Sequence, residues 1–221
     1  MPVVPDLTLT EEFFLLSHDD YTGKPCLNRE VLGLGLAGGL LAQLLVARRI
    51  TVTGDGIGLR DPRPYRQPAP DFVVQEIYWQ ANQHAVYSAV EWVKYLRDKT
   101  YPLVAQELVR RRVVRQENGG LLGRSKRYVA VDAVHASRPR VRLVYFCQRL
   151  ELLATELDEQ TAGLAGLAIA TRLESVIATT AGIDPGQGLR AMMARLPGDT
   201  RTVLAGVDAA VTADALAVRG R

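Results

Sequence analysis

The chain has 221 residues and a mass of 24.2 kDa, with 48% hydrophobic and 23% charged residues and a mean hydropathy near zero. That balance is ample for a buried core and excludes wholesale disorder, fibrous repeats and low complexity. Net charge is only +3, with pI near 9.0, but ten basic residues between Arg110 and Arg142 face just Glu117 and Asp132, a local excess of +8 that leaves −5 for the rest.

The opening residues, Met1 to Asp6, lack a basic leader followed by an apolar run, so no secretory signal is expected. Thr8-Leu9-Thr10-Glu11 has the spacing of a capping box and predicts a helix through Phe13, Phe14, Leu15 and Leu16, ending near Ser17. The polar stretch from His18 to Pro25 follows as a loop. A helix from about Arg29 to Arg48 is apolar around most of its circumference, which predicts a central core helix. Its apolar stretch, Val31 to Ala47, contains Gln43 and four glycines and falls short of the ~20 residues that cross a bilayer.

Ile50–Thr53 and Ile57–Leu59, joined through Gly54-Asp55-Gly56, predict a short hairpin. Asp61 to Pro70, with four prolines, reads as a surface connector. One amphipathic helix is expected from about Phe72 or His84 to Arg97, and a separate one from about Thr100 to Arg112. Val113 to Glu117 and Leu121 to Val129, turning at Asn118-Gly119-Gly120, predict a second hairpin, basic and protruding. Leu143, Cys147, Leu150, Ala154 and Leu157 step as the seam of a further helix. Helical segments are then expected over about 162–178, 188–195 and 203–218. The fold class is therefore mainly α: a single-domain helical bundle over 1–221 with two short β-hairpins.

Gly33-Leu34-Gly35-Leu36-Ala37-Gly38 matches a dinucleotide fingerprint in letters only. No strand precedes it, so Gly35 and Gly39 are expected instead to let another helix approach closely. His18, His84 and His135 show no metal-ligand spacing, and no nucleophile or phosphate-loop signature is present, so neither a cofactor nor catalysis is expected. His18 with Asp19 and Asp20 reads as polar capping of a helix end. Cys26 and Cys147 are too few for a disulfide framework and suggest a reducing, cytoplasmic setting.

The basic run carries the functional expectation. Arg110, Arg111 and Arg112 close a helix, and Arg115, Arg124, Lys126 and Arg127 follow on the hairpin. Such concentrated charge repels itself unless an anion answers it, which points to anionic lipid or nucleic acid. Leu121 and Leu122 at the hairpin tip would suit an interface or self-association.

Several motifs carry a resemblance. Leu7 to Leu16, Asp19-Asp20 with Thr22-Gly23-Lys24, and Gly35 to Leu44 leading to Arg48-Arg49-Ile50 resemble the Golgi phosphoprotein 3 family (a GPP34-type domain), in particular its bacterial branch, over about residues 5 to 215. The resemblance implies a non-enzymatic peripheral membrane adaptor that binds phosphatidylinositol 4-phosphate. It also implies headgroup recognition by a tryptophan and three arginines, at positions that here hold Asn28, Ala37, Asp98 and Tyr101. None of these forms the bidentate bonds an arginine gives a phosphate. With the placement shifted by a turn, Arg29, Lys94, Arg97 or Lys99 are the candidate substitutes, and the candidate lipid-binding residues are Arg29, Lys94 and Arg97 together with Arg110, Arg111, Arg112, Arg124, Lys126 and Arg127. A winged-helix nucleic-acid binder is the alternative, with a recognition helix ending in three arginines and a basic wing. A small-molecule enzyme using His18 with Asp19 or Asp20 is the third.

Overall fold

The capping box predicted at Thr8 closes as expected: Glu11 N–H donates to Thr8 Oγ1 at 3.4 Å and Thr8 N–H to Glu11 Oε2 at 2.9 Å, starting α1 (Leu9–Leu16). The computed structural model describes residues 6–119, 125–181 and 184–219. Among them the chain continues through α2 (Arg29–Val46), the hairpin β1 (Ile50–Thr53) and β2 (Gly56–Leu59), then α3 (Pro68–Asn82) and α4 (Ala89–Arg110). A second hairpin pairs β3 (Val114–Gly119) with β4 (Ser125–Ala130), antiparallel, in register Val114↔Ala130 to Gly119↔Ser125. It leads into α5 (Ala133–Gln148), a 3-10 turn (Leu150–Ala154), α6 (Glu159–Ala170), α7 (Glu174–Ala181), α8 (Gly186–Met193) and α9 (Gly198–Arg219). The mainly helical class and both hairpins are as the sequence predicts.

The centre is α2, whose Leu34, Leu36, Leu40, Leu41 and Leu44 are at most 1% exposed, each side chain contributing about 2 kcal/mol by burial. It is the one helix among the described residues long and apolar enough to cross a membrane, yet α1, α4, α6 and α9 all pack against it. Its glycines make that possible. A Cβ on Gly35 would overlap the Phe13 ring of α1, and one on Gly38 the Val207 side chain of α9. At Gly33 it would overlap the Arg97 carbonyl of α4 and stand 2.9 Å from Arg97 Cγ. Backbone cannot yield as a side-chain tip can, so overpacking outweighs the roughly 1 kcal/mol that alanine gains in a helix. Gly33→Ala is expected to lose about 1–2 kcal/mol in urea unfolding, whereas Gly54→Ala, with nothing within 4 Å, should change stability by less than about 0.5 kcal/mol.

Several boundaries differ from the expectation. The helix predicted to break before Thr100 is continuous, because Pro102 sits exposed inside α4 and frees only the carbonyl of exposed Asp98. The helix predicted from Leu143 starts ten residues earlier, at Ala133, with Asp132 Oδ1 accepting from Val134 N–H at 2.9 Å and His135 N–H at 3.1 Å. The segment predicted as one helix over 162–178 is split into α6 and α7 at Arg172, where φ is 64°. Both cysteines are free, Cys26 exposed and Cys147 half-buried.

Candidate functional site

The local charge excess of the sequence is largely answered inside the fold. Arg110 turns back to Glu107 (Nη2–Oε1 2.5 Å), and Arg111 reaches across to Glu11 of α1 (2.5 Å) and to the Asp6 carbonyl (2.7 Å). Arg115 pairs with Glu117 at 2.6 Å, Arg140 with Asp20 at 2.9 Å and Arg142 with Glu12 at 2.5 Å. Glu11, Glu12, Asp20 and Glu107 are all buried side chains, at most 10% exposed, and each is matched by an arginine from the basic run. This corrects the expectation of one positive prominence from Arg110 to Arg127. Arg110 and Arg111 are committed to internal carboxylates, and Arg112 stands apart from them in a left-handed turn (φ 58°) that ends α4. Arg124, Leu121 and Leu122 lie outside the described residues.

The hairpin cations also divide. Side chains alternate across a strand, so Lys126 shares a face of β4 with Tyr128, while Arg127 shares the other with Val129 and, across the ladder, with Glu117. Neither has an ion pair among the described residues. Arg97 is held by Asp214 of α9 (3.1 Å) and lies 3.7 Å from Asp98. It lines a groove of about 860 Å³ between the start of α2 and α9, shared with Leu27, Val31, Arg172 and Asp214. Lys94 is exposed on α4, seven residues or ~10 Å before Tyr101 along the same face.

A different grouping forms around Tyr101. His18 stacks on Phe14 at 4.1 Å, Tyr101 on Phe14 at 5.6 Å, and Tyr128 meets Tyr101 edge-on at 5.8 Å. His18 Nδ1 lies 2.7 Å from the Phe14 carbonyl, which can only accept, so Nδ1 carries the proton and Nε2 accepts from the Tyr101 hydroxyl at 3.3 Å. Burial lowers the His18 pKa to about 4 against the raising effect of that bond, and burial with the Tyr128 phenol raises that of Tyr101 to about 12. The exposed Arg29 works the other way on Tyr101, which places its charge near that hydroxyl.

The His18–Pro25 loop is built to lie against this cluster. Asp19 Oδ1 accepts from Thr22 N–H and Oγ1, both at 2.7 Å, and from Tyr21 N–H at 3.2 Å, and these bonds hold its carboxyl below the usual range. Gly23 takes φ +62° and is so close to β4 that a Cβ would lie 2.5 Å from the Tyr128 carbonyl oxygen. The turn sets exposed Lys24 beside β4. Asn28 caps α2, its Oδ1 accepting from Val31 N–H at 2.8 Å. Three exposed cations with no ion pair among the described residues neighbour this cluster along the chain, and together form the candidate cationic rim: Lys24 follows Gly23, Arg29 opens α2, and Lys126 stands two residues before Tyr128 on the same face of β4. Lys24 was missed in the sequence, where Asp19-Asp20-Tyr21-Thr22-Gly23 reads only as a polar loop.

The positions of the implied headgroup residues do not supply phosphate-binding cations. Asn28 is spent on the cap, Ala37 is 0% exposed, and Asp98 presents an exposed carboxylate. The winged-helix geometry needs the arginines ending α4 free on one outward face, whereas Arg111 turns inward to Glu11 and the exposed Arg110 is paired with Glu107. His18 has both ring nitrogens engaged, and no group of three metal-ligating side chains occurs among the described residues. The family model described as Golgi phosphoprotein 3 (GPP34) matches residues 9–214. No curated protein matches the chain.

Proposed function

Because the chain belongs to the Golgi phosphoprotein 3 family, we propose that it is a non-enzymatic adaptor that attaches peripherally to membranes by binding anionic phospholipid at the Lys24–Arg29–Lys126 rim. The observation that carries this reading is the placement of three exposed cations, none with an ion pair among the described residues, beside a neutral Tyr101–Tyr128 cluster whose Tyr101 hydroxyl proton is already given to His18. Each basic residue near an anionic surface contributes about 1 kcal/mol, so the rim supplies attraction without a shaped arginine pocket. Phosphatidylinositol 4-phosphate is the headgroup that the resemblance favours. With no guanidinium at positions 28, 37, 98 and 101, its advantage here comes from added phosphate charge.

Co-sedimentation tests this with vesicles of phosphatidylcholine alone, with phosphatidylserine, and with phosphatidylinositol 4-phosphate at equal total charge. Recovery is expected on both anionic vesicles and to fall with salt. Lys24→Gln, Arg29→Gln and Lys126→Gln together remove about 3 kcal/mol, a roughly hundredfold loss of partitioning. Equal recovery on neutral and anionic vesicles would overturn the reading.

A further inference from the structure

Helix α5 presents a face to solvent that the fold leaves uncovered. Ala136, Pro139, Leu143 and Phe146 turn inward and are buried. On the opposite side Val134 is 75% exposed, Val141 57% and Tyr145 39%, with exposed Arg138 between the valines. At 100° per residue these four fall within about 60° of one another, a single stripe along the helix. Val131, just before the helix, is 55% exposed, and Arg149, at its end, has its guanidinium 5.5 Å from the Tyr145 ring centre.

Scattered exposed valines are ordinary, but an aligned run interleaved with arginines is not. The sequence of α5 contains no carboxylate, and Asp132 is occupied with the helix N-terminus. Its other arginines, Arg140 and Arg142, point to Asp20 and Glu12. An apolar and cationic stripe without acids matches the boundary of an anionic bilayer, where valines and a tyrosine ring enter the acyl edge and arginine stems extend to phosphates. The ion pair from Arg140 to Asp20 ties this helix to the loop that carries Lys24 and Tyr21, the latter 80% exposed.

We propose that the Val134–Arg138–Val141–Tyr145 face of α5 is the surface that lies in an anionic membrane, alongside the headgroup rim. This rests on the lipid-binding reading and adds a face to it. The test is co-sedimentation with phosphatidylserine-containing vesicles of the full chain, of Val134→Asp/Val141→Asp and of Val134→Ser/Val141→Ser, with thermal melts and sedimentation velocity of each in solution. Both sites are exposed, so the serine pair is expected to melt as the parent does. The expected result is at least a tenfold loss of partitioning for both pairs, larger for aspartate, with the solution mass unchanged. If the parent binds anionic vesicles and both pairs bind equally well, the α5 face is overturned and the lipid reading stands. A parent that forms dimers which the aspartate pair dissolves, with vesicle binding unaltered, also overturns it and assigns the stripe to a second copy. A parent that binds no anionic vesicle overturns both.

Discussion

Arg111→Ala is expected to destabilise the fold by about 3–5 kcal/mol, far more than any other single arginine truncation in the 110–127 run. Arg111 is 18% exposed and its partner Glu11 5%, so removing the guanidinium strands a carboxylate that water cannot reach, with only the Thr8 N–H left to it. The same change removes the bond from Arg111 to the Asp6 carbonyl, which fastens the entry to α1 onto the end of α4. Removing both charges is a different matter, since a buried pair replaced by neutral groups is often close to isoenergetic. Arg111→Met with Glu11→Gln, which keeps an acceptor for Thr8, should therefore recover most of the loss in urea unfolding. Exposed Lys126→Ala should move the midpoint by less than about 0.5 kcal/mol. A small loss for Arg111→Ala, comparable to that of Lys126→Ala, would return Arg111 to the surface and restore the basic run as one ligand-facing cluster.

That pair shows why net charge along the chain misleads about the site. Glu11 and Arg111 are 100 residues apart and Glu12 and Arg142 130 apart, so a window over 110–142 counts the arginines and never meets their carboxylates. Four of the ten basic residues in the window are spent on buried carboxylates, and a fifth, Arg115, is in an exposed pair with Glu117. The cations of the proposed lipid-binding rim come from three elements, and two of them, Lys24 and Arg29, lie outside the window. Arg29 was within reach of a reading by resemblance because the start of α2 is local. Lys24 was not, because its place depends on the Gly23 turn pressing against β4.

The elements themselves were legible where their signals are local. The capping box at Thr8, the all-round apolar α2 and the glycine turn of the first hairpin each depend on residues within a few positions. The ends of α2 and α4 were read to within two residues, whereas the α3–α4 boundary and the break after α6 were not, and the reason is specific. Arg48, His84, Arg112 and Arg172 all take positive φ just past α2, α3, α4 and α6, the position where glycine usually announces the stop. An L-residue there costs about 1 kcal/mol or more, which surrounding packing outweighs, and the sequence then carries no punctuation. The α3–α4 boundary falls at such a residue, and so does the unexpected break between α6 and α7. Pro102 and Pro139 lie within α4 and α5, so two helices run through a residue type that ordinarily ends or kinks a helix.

Acid should act on the floor of the candidate site before the surface charges respond. His18 is 3% exposed, with a folded pKa of about 4 against 6.5 in the unfolded chain. Between those values the unfolded chain binds a proton that the folded chain refuses, so the stability present above pH 6.5 is lost as pH falls toward 4. A separation of that size corresponds to about 3 kcal/mol once pH has passed below both values. Burial also lowers the His135 pKa, and that group acts in the same direction on the outer part of α5. His18→Asn isolates the first contribution. An asparagine amide can donate to the Phe14 carbonyl in place of Nδ1 but does not titrate, while losing the ring stacked 4.1 Å from Phe14. The variant is expected to be about 1–2 kcal/mol less stable at pH 7.5 and to lose markedly less on going to pH 4.5, so that the two stability curves converge in acid. Urea unfolding at pH 7.5, 6.0 and 4.5 measures both slopes. Parallel curves would mean that His18 is not held neutral in the fold, and that the Tyr101 hydroxyl at the centre of the cationic rim does not donate to it.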